Sequence, residues 1–152
     1  MKNTSLCYIE KDGAYLMLHR IKKINDENHD KWIGIGGKLE AGESPYDCAR
    51  REVTEETGLT LNTLSYRGII TFVSNVYGTE YMHLFTSTDF KGELISSCDE
   101  GNLEWVKKSE VKNLPIWEGD KIFLDLISTD TPFFSLKLVY ENDNLVDHIL
   151  EI

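Results

Sequence analysis

The sequence predicts an α/β fold in which helices pack on a mixed sheet. Short apolar runs rich in Ile, Val, Phe, Tyr and Thr recur along the chain, and the segments between some of them carry helix start and stop signals. At 152 residues, with 41% hydrophobic and 28% charged side chains, the chain suffices for one buried core and is short for two. No repeat, linker or low-complexity tract divides it, so a single domain over residues 1–152 is expected.

Residues 4–10 and Ala14–Arg20 are apolar-rich runs joined by Lys11, Asp12 and Gly13, which predicts an opening hairpin. Residues 21–31 are polar and charged and read as a mobile loop. Ser44 before Pro45 is an N-cap with proline at the first helical position, and Gly58 offers a C′ glycine, so a helix is expected over Pro45–Thr57. Residues 64–74 and 79–87 flank residues 75–78 as a second hairpin. A short strand follows at 102–107, a helical turn at 109–113 and an amphipathic helix at 118–126. Residues 133–140 and 145–149, turned at 142–144, close the chain as a terminal hairpin.

The opening ten residues hold one lysine and no signal-peptide run, and no stretch approaches a membrane span, so a cytoplasmic protein without a membrane partner is expected. Cys7, Cys48 and Cys98 are widely spaced and form no C-x-x-C pair, and are read as reduced thiols. A net charge of −10 argues against polymeric nucleic acid as a partner, because affinity for a phosphate backbone needs clustered Lys and Arg. A small phosphate-bearing substrate is compatible with that charge only if a divalent cation stands between it and the acids.

The predicted first helix supplies those acids. At roughly 100° per residue, Glu52 and Glu56 share a face and Glu55 lies about 60° to the other side of Glu52, beside the core-facing Ala49 and Val53. Like charges at this spacing cost a few tenths of a kcal/mol per pair unless a cation neutralises them. Hard oxygen donors suit Mg²⁺, with Mn²⁺ able to use the same set. An isolated E-x-x-E-E is more often a solvated face; here Gly36 and Gly37 also permit close backbone approach, so that a carbonyl can complete coordination. Arg51 points about 100° away from Glu52, which favours Glu43 as its partner; the bland alternative for that pair is a surface ion pair worth under about 1 kcal/mol.

Nine positions then fall into one pattern: Gly37, Glu43, Arg51, Glu52, Val53, Glu55, Glu56, Gly58 and Leu59. The run resembles the signature of the Nudix hydrolases, G-x5-E-x7-R-E-U-x-E-E-x-G-U with U aliphatic, and departs from it nowhere. The resemblance implies a Nudix-type α/β/α sandwich with a mixed sheet and a catalytic loop-helix. It implies Mg²⁺-dependent attack of water on a nucleoside diphosphate linked to another group, giving monophosphate and pyrophosphate from a triphosphate. It also implies that Glu43 and Arg51 orient loop and helix, that Glu52 and Glu56 bind metal, and that Glu55 binds metal or assists the base. The base itself stays open among Glu56, Glu52 and Glu100, the last lying in an acidic segment, 97–101, that resembles a downstream loop of Nudix enzymes acting on oxidised purine nucleotides.

Two further stretches are similar to that MutT-like, 8-oxo-dGTP-hydrolysing group. WIGIGGKLE, residues 32–40, resembles its W-N-G-x-G-G-K run, which makes Lys38 a phosphate contact; Ile33 stands where that group often has Asn and cannot supply an amide's paired donor and acceptor. LPIWEGD, residues 114–120, resembles a base-binding segment, which makes Trp117 a stacking residue and Glu118 or Asp120 a partner for the base edge; a core tryptophan and helix-capping acids are the equal alternatives. Arg20, in the basic cluster with His19, Lys22 and Lys23, is a further candidate for the triphosphate. Activity on nucleotide sugars or dinucleotide polyphosphates, and a catalytically silent nucleotide-binding regulator, are the alternatives. Nothing in the sequence specifies an oligomeric state.

Overall fold

The computed structural model describes residues 1–23 and 25–152. In chain order the elements are β1 (Lys2–Lys11), β2 (Ala14–Arg20), β3 (Trp32–Ile33), β4 (Ile35–Lys38), α1 (Pro45–Thr57), β5 (Thr60–Leu61), β6 (Ser65–Ser74) and β7 (Gly78–Ser87). They continue with β8 (Phe90–Lys91), β9 (Gly101–Lys107), α2 (Lys108–Val111), α3 (Glu118–Ile127), β10 (Phe134–Glu141) and β11 (Asn144–Glu151). The main sheet runs β11-β10-β6-β7-β1-β2-β3, with β4 also on β1 and β9 also on β2; β5 and β8 pair apart from it. β1 lies parallel to β7 and β10 parallel to β6, while the other pairs are antiparallel, so the sheet is mixed as expected.

Alternation along the strands builds the sandwich. Tyr8, Tyr15 and Met17 enter one core with Phe123, Leu124 and Ile127 of α3. Their neighbours Cys7, Ile9, Leu16 and Leu18 enter a second core with Ala49 and Val53 of α1. Because successive strand residues face opposite ways, the two helices cover opposite faces of the sheet. The three cysteines are free thiols, and no helix among the described residues is long and apolar enough to cross a membrane.

The expected opening hairpin forms but is short. Asp12 (φ 52°) and Gly13 (φ 77°) do form a tight turn, but β1 and β2 pair only at its base, Glu10 with Tyr15 and Lys11 with Ala14. Beyond it β1 turns to β4 and β7, and β2 to β3 and β9. The glycine-rich stretch carries no strand periodicity, yet it forms β3 and β4. Gly36 runs so close to β1 that a side chain there would overlap the Ser5 carbonyl. Other boundaries shift by a few residues: α2 falls on Lys108–Val111, and the terminal strands are Phe134–Glu141 and Asn144–Glu151.

The polar 21–31 segment has no strand or helix among its described residues, but it is tied at several points. Arg20 Nε donates to Asp26 at 2.7 Å and Lys2 Nζ to Glu27 at 3.2 Å. Ile24, part of this expected mobile loop, lies outside the described residues.

Candidate active site

α1 starts where the sequence places it. Asp47 N–H donates to Ser44 Oγ at 3.1 Å and Ser44 N–H donates back to Asp47 Oδ2 at 3.0 Å, a reciprocal cap; Gly58 ends the helix at φ 79°. With Ala49 and Val53 in the core, the next position on that border is Glu56, only 6% exposed.

Arg51 ties the loop before α1 to the helix. Its Nε and Nη2 grip Glu43 at 2.7 and 2.9 Å, the forked geometry that suits a carboxylate. Nη2 also donates to the Lys38 carbonyl at 3.1 Å. The Arg51 guanidinium holds the Glu43 carboxyl down at about 2, and Glu43 in turn raises Arg51. The helical angle that seemed to separate Arg51 from Glu52 does not do so: Nη1 reaches Glu52 Oε1 at 2.8 Å and Glu55 Oε2 at 3.2 Å. The angle fixes only where the side chain leaves the helix, and a guanidinium on a long stem swings across it.

Burial raises the Glu52 carboxyl, and the Glu55 and Glu100 charges add to this, while Arg51 opposes it. Its carboxylate lies on Gly37, where a Cβ would meet Oε1 at 2.5 Å. Burial, with help from the Glu52 and Glu100 charges, pushes Glu56 up to about 8. Glu56 Oε2 is the one buried side-chain oxygen or nitrogen among the described residues without a hydrogen-bond partner. An orphaned carboxylate oxygen beside a second desolvated carboxylate is a hard-oxygen donor set that fits a divalent cation. The three helical acids are not drawn together, however. Glu55 stays 59% exposed against Arg51, and no ready-made cage of three acidic, histidine or cysteine side chains exists among the described residues. The Gly37 carbonyl, expected as a further donor, lies 3.5 Å from the Cys48 thiol.

Glu100 arrives from the loop before β9, near enough for its charge to raise both Glu52 and Glu56. It accepts from Cys98 Sγ at 3.3 Å and lies 3.9 Å from Lys23 Nζ.

A cavity of about 790 Å³ opens beside these acids, with Gly36, Gly37, Lys38 and Arg20 in its wall and Trp117 and Asp120 also lining it. Arg20 Nε is held by Asp26 at 2.7 Å while the residue lines the cavity, and its charge acts on Glu56. Trp117 proves to be both a core residue and a cavity wall: it is 6% exposed and packs edge-on to Phe72 and Tyr140 at 5.5 and 5.1 Å. Its Nε1 donates to Asn28 at 2.7 Å and Lys31 Nζ sits 4.6 Å over its ring. Asp120 is buried, and burial pushes its carboxyl up to about 8. Ile33 also lines the cavity, so the residue that departs from the MutT-like pattern faces it. Asn28 and Phe72 line the cavity and Lys31 stands over the Trp117 ring, and the sequence singled out none of them; they meet Trp117 only through tertiary packing, and no local pattern marks them.

Residues 2–127 match the NUDIX domain model. The chain belongs to the Nudix family. The Nudix chain is 33% identical over 123 residues to a Danio rerio protein named oxidized purine nucleoside triphosphate hydrolase, covering 80% of this chain and 78% of that one. It is 28% identical over 131 residues to YvcI of Bacillus subtilis, an uncharacterized Nudix hydrolase, covering 84% and 79%. The crystal structure of the mutator MutT protein from Bacillus halodurans, 29% identical, superposes with a TM-score of 0.87 and covers 99% of this chain and 98% of that one. This Nudix enzyme is therefore a pyrophosphohydrolase of a family that generally uses divalent metal ions and acts on small nucleotides.

Proposed function

We propose that this Nudix enzyme hydrolyses nucleoside triphosphates, purine nucleotides above all, to monophosphate and pyrophosphate with Mg²⁺. The observation that carries the reading is Glu56. A buried carboxylate with one oxygen unpartnered stands beside Glu52, whose own carboxylate rests on Gly37, and Gly37 shares the cavity wall with Trp117 and Asp120. Glu52 and Glu56 would hold the cation, with Glu55 and the Gly37 carbonyl as candidates to complete the set, and Mn²⁺ could use the same oxygens. When bound, the cation supplies positive charge to the phosphate oxygens and acidifies the attacking water.

The chain's own residues position the reaction. Arg51 clamps the loop through Glu43 and the Lys38 carbonyl, which fixes Gly37 and Lys38 relative to α1. Lys38 faces the polyphosphate from the cavity wall. Glu100, Glu52 and Glu56 are the carboxylates available to take the water's proton. At the base end, Trp117 offers a rigid aromatic edge, and a neutral Asp120 carboxyl offers both a donor and an acceptor to a purine edge, as a carboxylate cannot. Arg20 anchors the 21–31 loop through its Nε on Asp26 and lines the cavity, a candidate contact for the triphosphate. The relative from Danio rerio supports a purine triphosphate; Ile33 in the cavity wall leaves discrimination of the oxidised base to Asp120 and its surroundings.

The test is pyrophosphate release from 8-oxo-dGTP, dGTP and the other dNTPs, with nucleotide sugars and dinucleotide polyphosphates in the same panel. Metal-dependent turnover of triphosphates, lost in Glu56→Gln, is expected. Preference for a nucleotide sugar over every triphosphate would overturn the substrate class.

A further inference from the structure

The family match ends at Ile127, yet the chain beyond it returns to the base end of the cavity. β10 lies parallel to β6, with Leu138 beside Phe72 in register, and this brings Tyr140 under the start of α3. The tyrosine is 1% exposed, and its hydroxyl accepts the Gly119 N–H at 2.7 Å. α3 has Trp117 at its N-cap position, with no side-chain cap. The hydroxyl of a residue twenty-one positions away thus satisfies a first-turn donor that a local Ser, Thr or Asp would normally satisfy.

The Tyr140 ring adds a second restraint. It packs at 4.8 Å on Phe72 and at 5.1 Å, nearly perpendicular, on Trp117. Gly119 records how tight the junction is, since a Cβ there would lie 2.5 Å from Leu138 Cδ1 and 2.8 Å from the Tyr140 hydroxyl. Trp117 lies two residues before this glycine and Asp120 directly after it, so one side chain beyond the matched residues bears on both the plane of the indole and the position of the buried carboxyl.

We propose that Tyr140 is a positioning residue for base selection: by capping Gly119 and bracing Trp117 it fixes the surfaces that meet the nucleobase, while the acids of α1 are untouched. This rests on the triphosphate reading for its kinetic consequence, but its structural half does not.

Tyr140→Phe removes the hydroxyl and keeps the ring. We expect KM for purine triphosphates to rise about three- to tenfold with kcat held within about twofold, as for a lost hydrogen bond that orients bound substrate. The spread of kcat/KM between dGTP, dATP and dCTP should narrow, and restoring tyrosine should return it. In the ligand-free protein carrying 5-fluorotryptophan, the ¹⁹F resonance of Trp117, assigned with Trp117→Phe, should move while that of Trp105 stays. Unchanged base ratios with an unmoved Trp117 resonance would overturn the proposal, as would an equal loss of kcat for every base. If the native chain turns over no triphosphate, the functional reading falls, and the resonance alone decides the role of Tyr140. Should Tyr140→Phe not fold, Gly119→Ala crowds the same hydroxyl and is judged by the same two measurements.

Discussion

The carboxylate of Glu52 rests on the backbone of Gly37, with no space between them for a methyl group: a Cβ would sit 2.5 Å from Oε1 and 2.6 Å from Cδ. The contact explains a glycine whose own backbone angle is not left-handed. In Gly37→Ala, β4 and α1 must part or the Glu52 carboxylate must turn away. A displacement of about 1 Å at reacting groups costs on the order of a hundredfold in rate. We expect kcat/KM to fall by about that factor while the circular dichroism spectrum and oligomeric behaviour stay native.

Arg51 joins Glu43, Glu52, Glu55 and the Lys38 carbonyl through one planar group. Lysine keeps the charge and loses the fork, so Arg51→Lys should lower activity at least about tenfold, where a mere surface ion pair would leave it unchanged. The acid limb of stability tests the same contact. Glu43 titrates at about 2 in the fold against 4.5 in the unfolded chain, so its stabilisation is complete above about pH 4.5 and is lost as pH falls toward 2. Glu43→Gln should therefore show a flatter loss of Tm between pH 5 and 2 than the native chain, as followed by thermal melts across that range.

Much of this site was legible because it is local. Ser44, Pro45 and Gly58 bound α1, and the glutamates repeat at helical spacing within thirteen residues. What stayed hidden depends on chain reversal. The sheet edges that β1 divides between β2 and β4 are chosen by partners distant in sequence, and a stretch such as IGGK has too few side chains to announce a strand. The same holds for the cavity. Trp117 was visible as an aromatic residue, but Asn28, Lys31 and Tyr140, which fix its plane, come from three other parts of the chain. Glu55 lies near Glu52 as the spacing placed it, but what joins them, a shared Arg51 Nη1, was not visible in helical angles.

In its proposed metal-binding role, Glu56 carries an opposition between stability and function. Its buried carboxyl leaves Oε2 without a hydrogen-bond partner, a cost to the fold that a bound cation would offset. Glu56→Gln keeps the shape and removes the charge. In chelator its Tm should equal or exceed that of the native chain, whereas added Mg²⁺ should raise the native Tm and leave the variant unmoved. Turnover should fall by at least about a hundredfold, the scale of losing a positioned acid–base or ligand group. A variant that melts lower in chelator and still responds to Mg²⁺ would remove Glu56 from the metal site.

Asp120 makes the pH behaviour of the proposed base end predictable in sign. Burial moves its carboxyl from 3.8 in the unfolded chain to about 8 in the fold, with Lys31 opposing only in part. Between those values the folded chain keeps a proton that the unfolded chain has released, so this group's contribution to stability is lost as pH rises from about 4 to about 8. The slope approaches about 1.4 kcal/mol per pH unit at most. Asparagine is neutral at every pH and has the same outline, so Asp120→Asn should remove that slope from the stability profile. It should also remove a kinetic feature. Above about pH 8 the native carboxyl turns from donor and acceptor into acceptor alone, and the ratio of kcat/KM for purine over pyrimidine triphosphates should drop there; in Asp120→Asn the ratio should stay level across pH 6 to 9. A native ratio that is flat over the same range would mean that the Asp120 proton takes no part in reading the base.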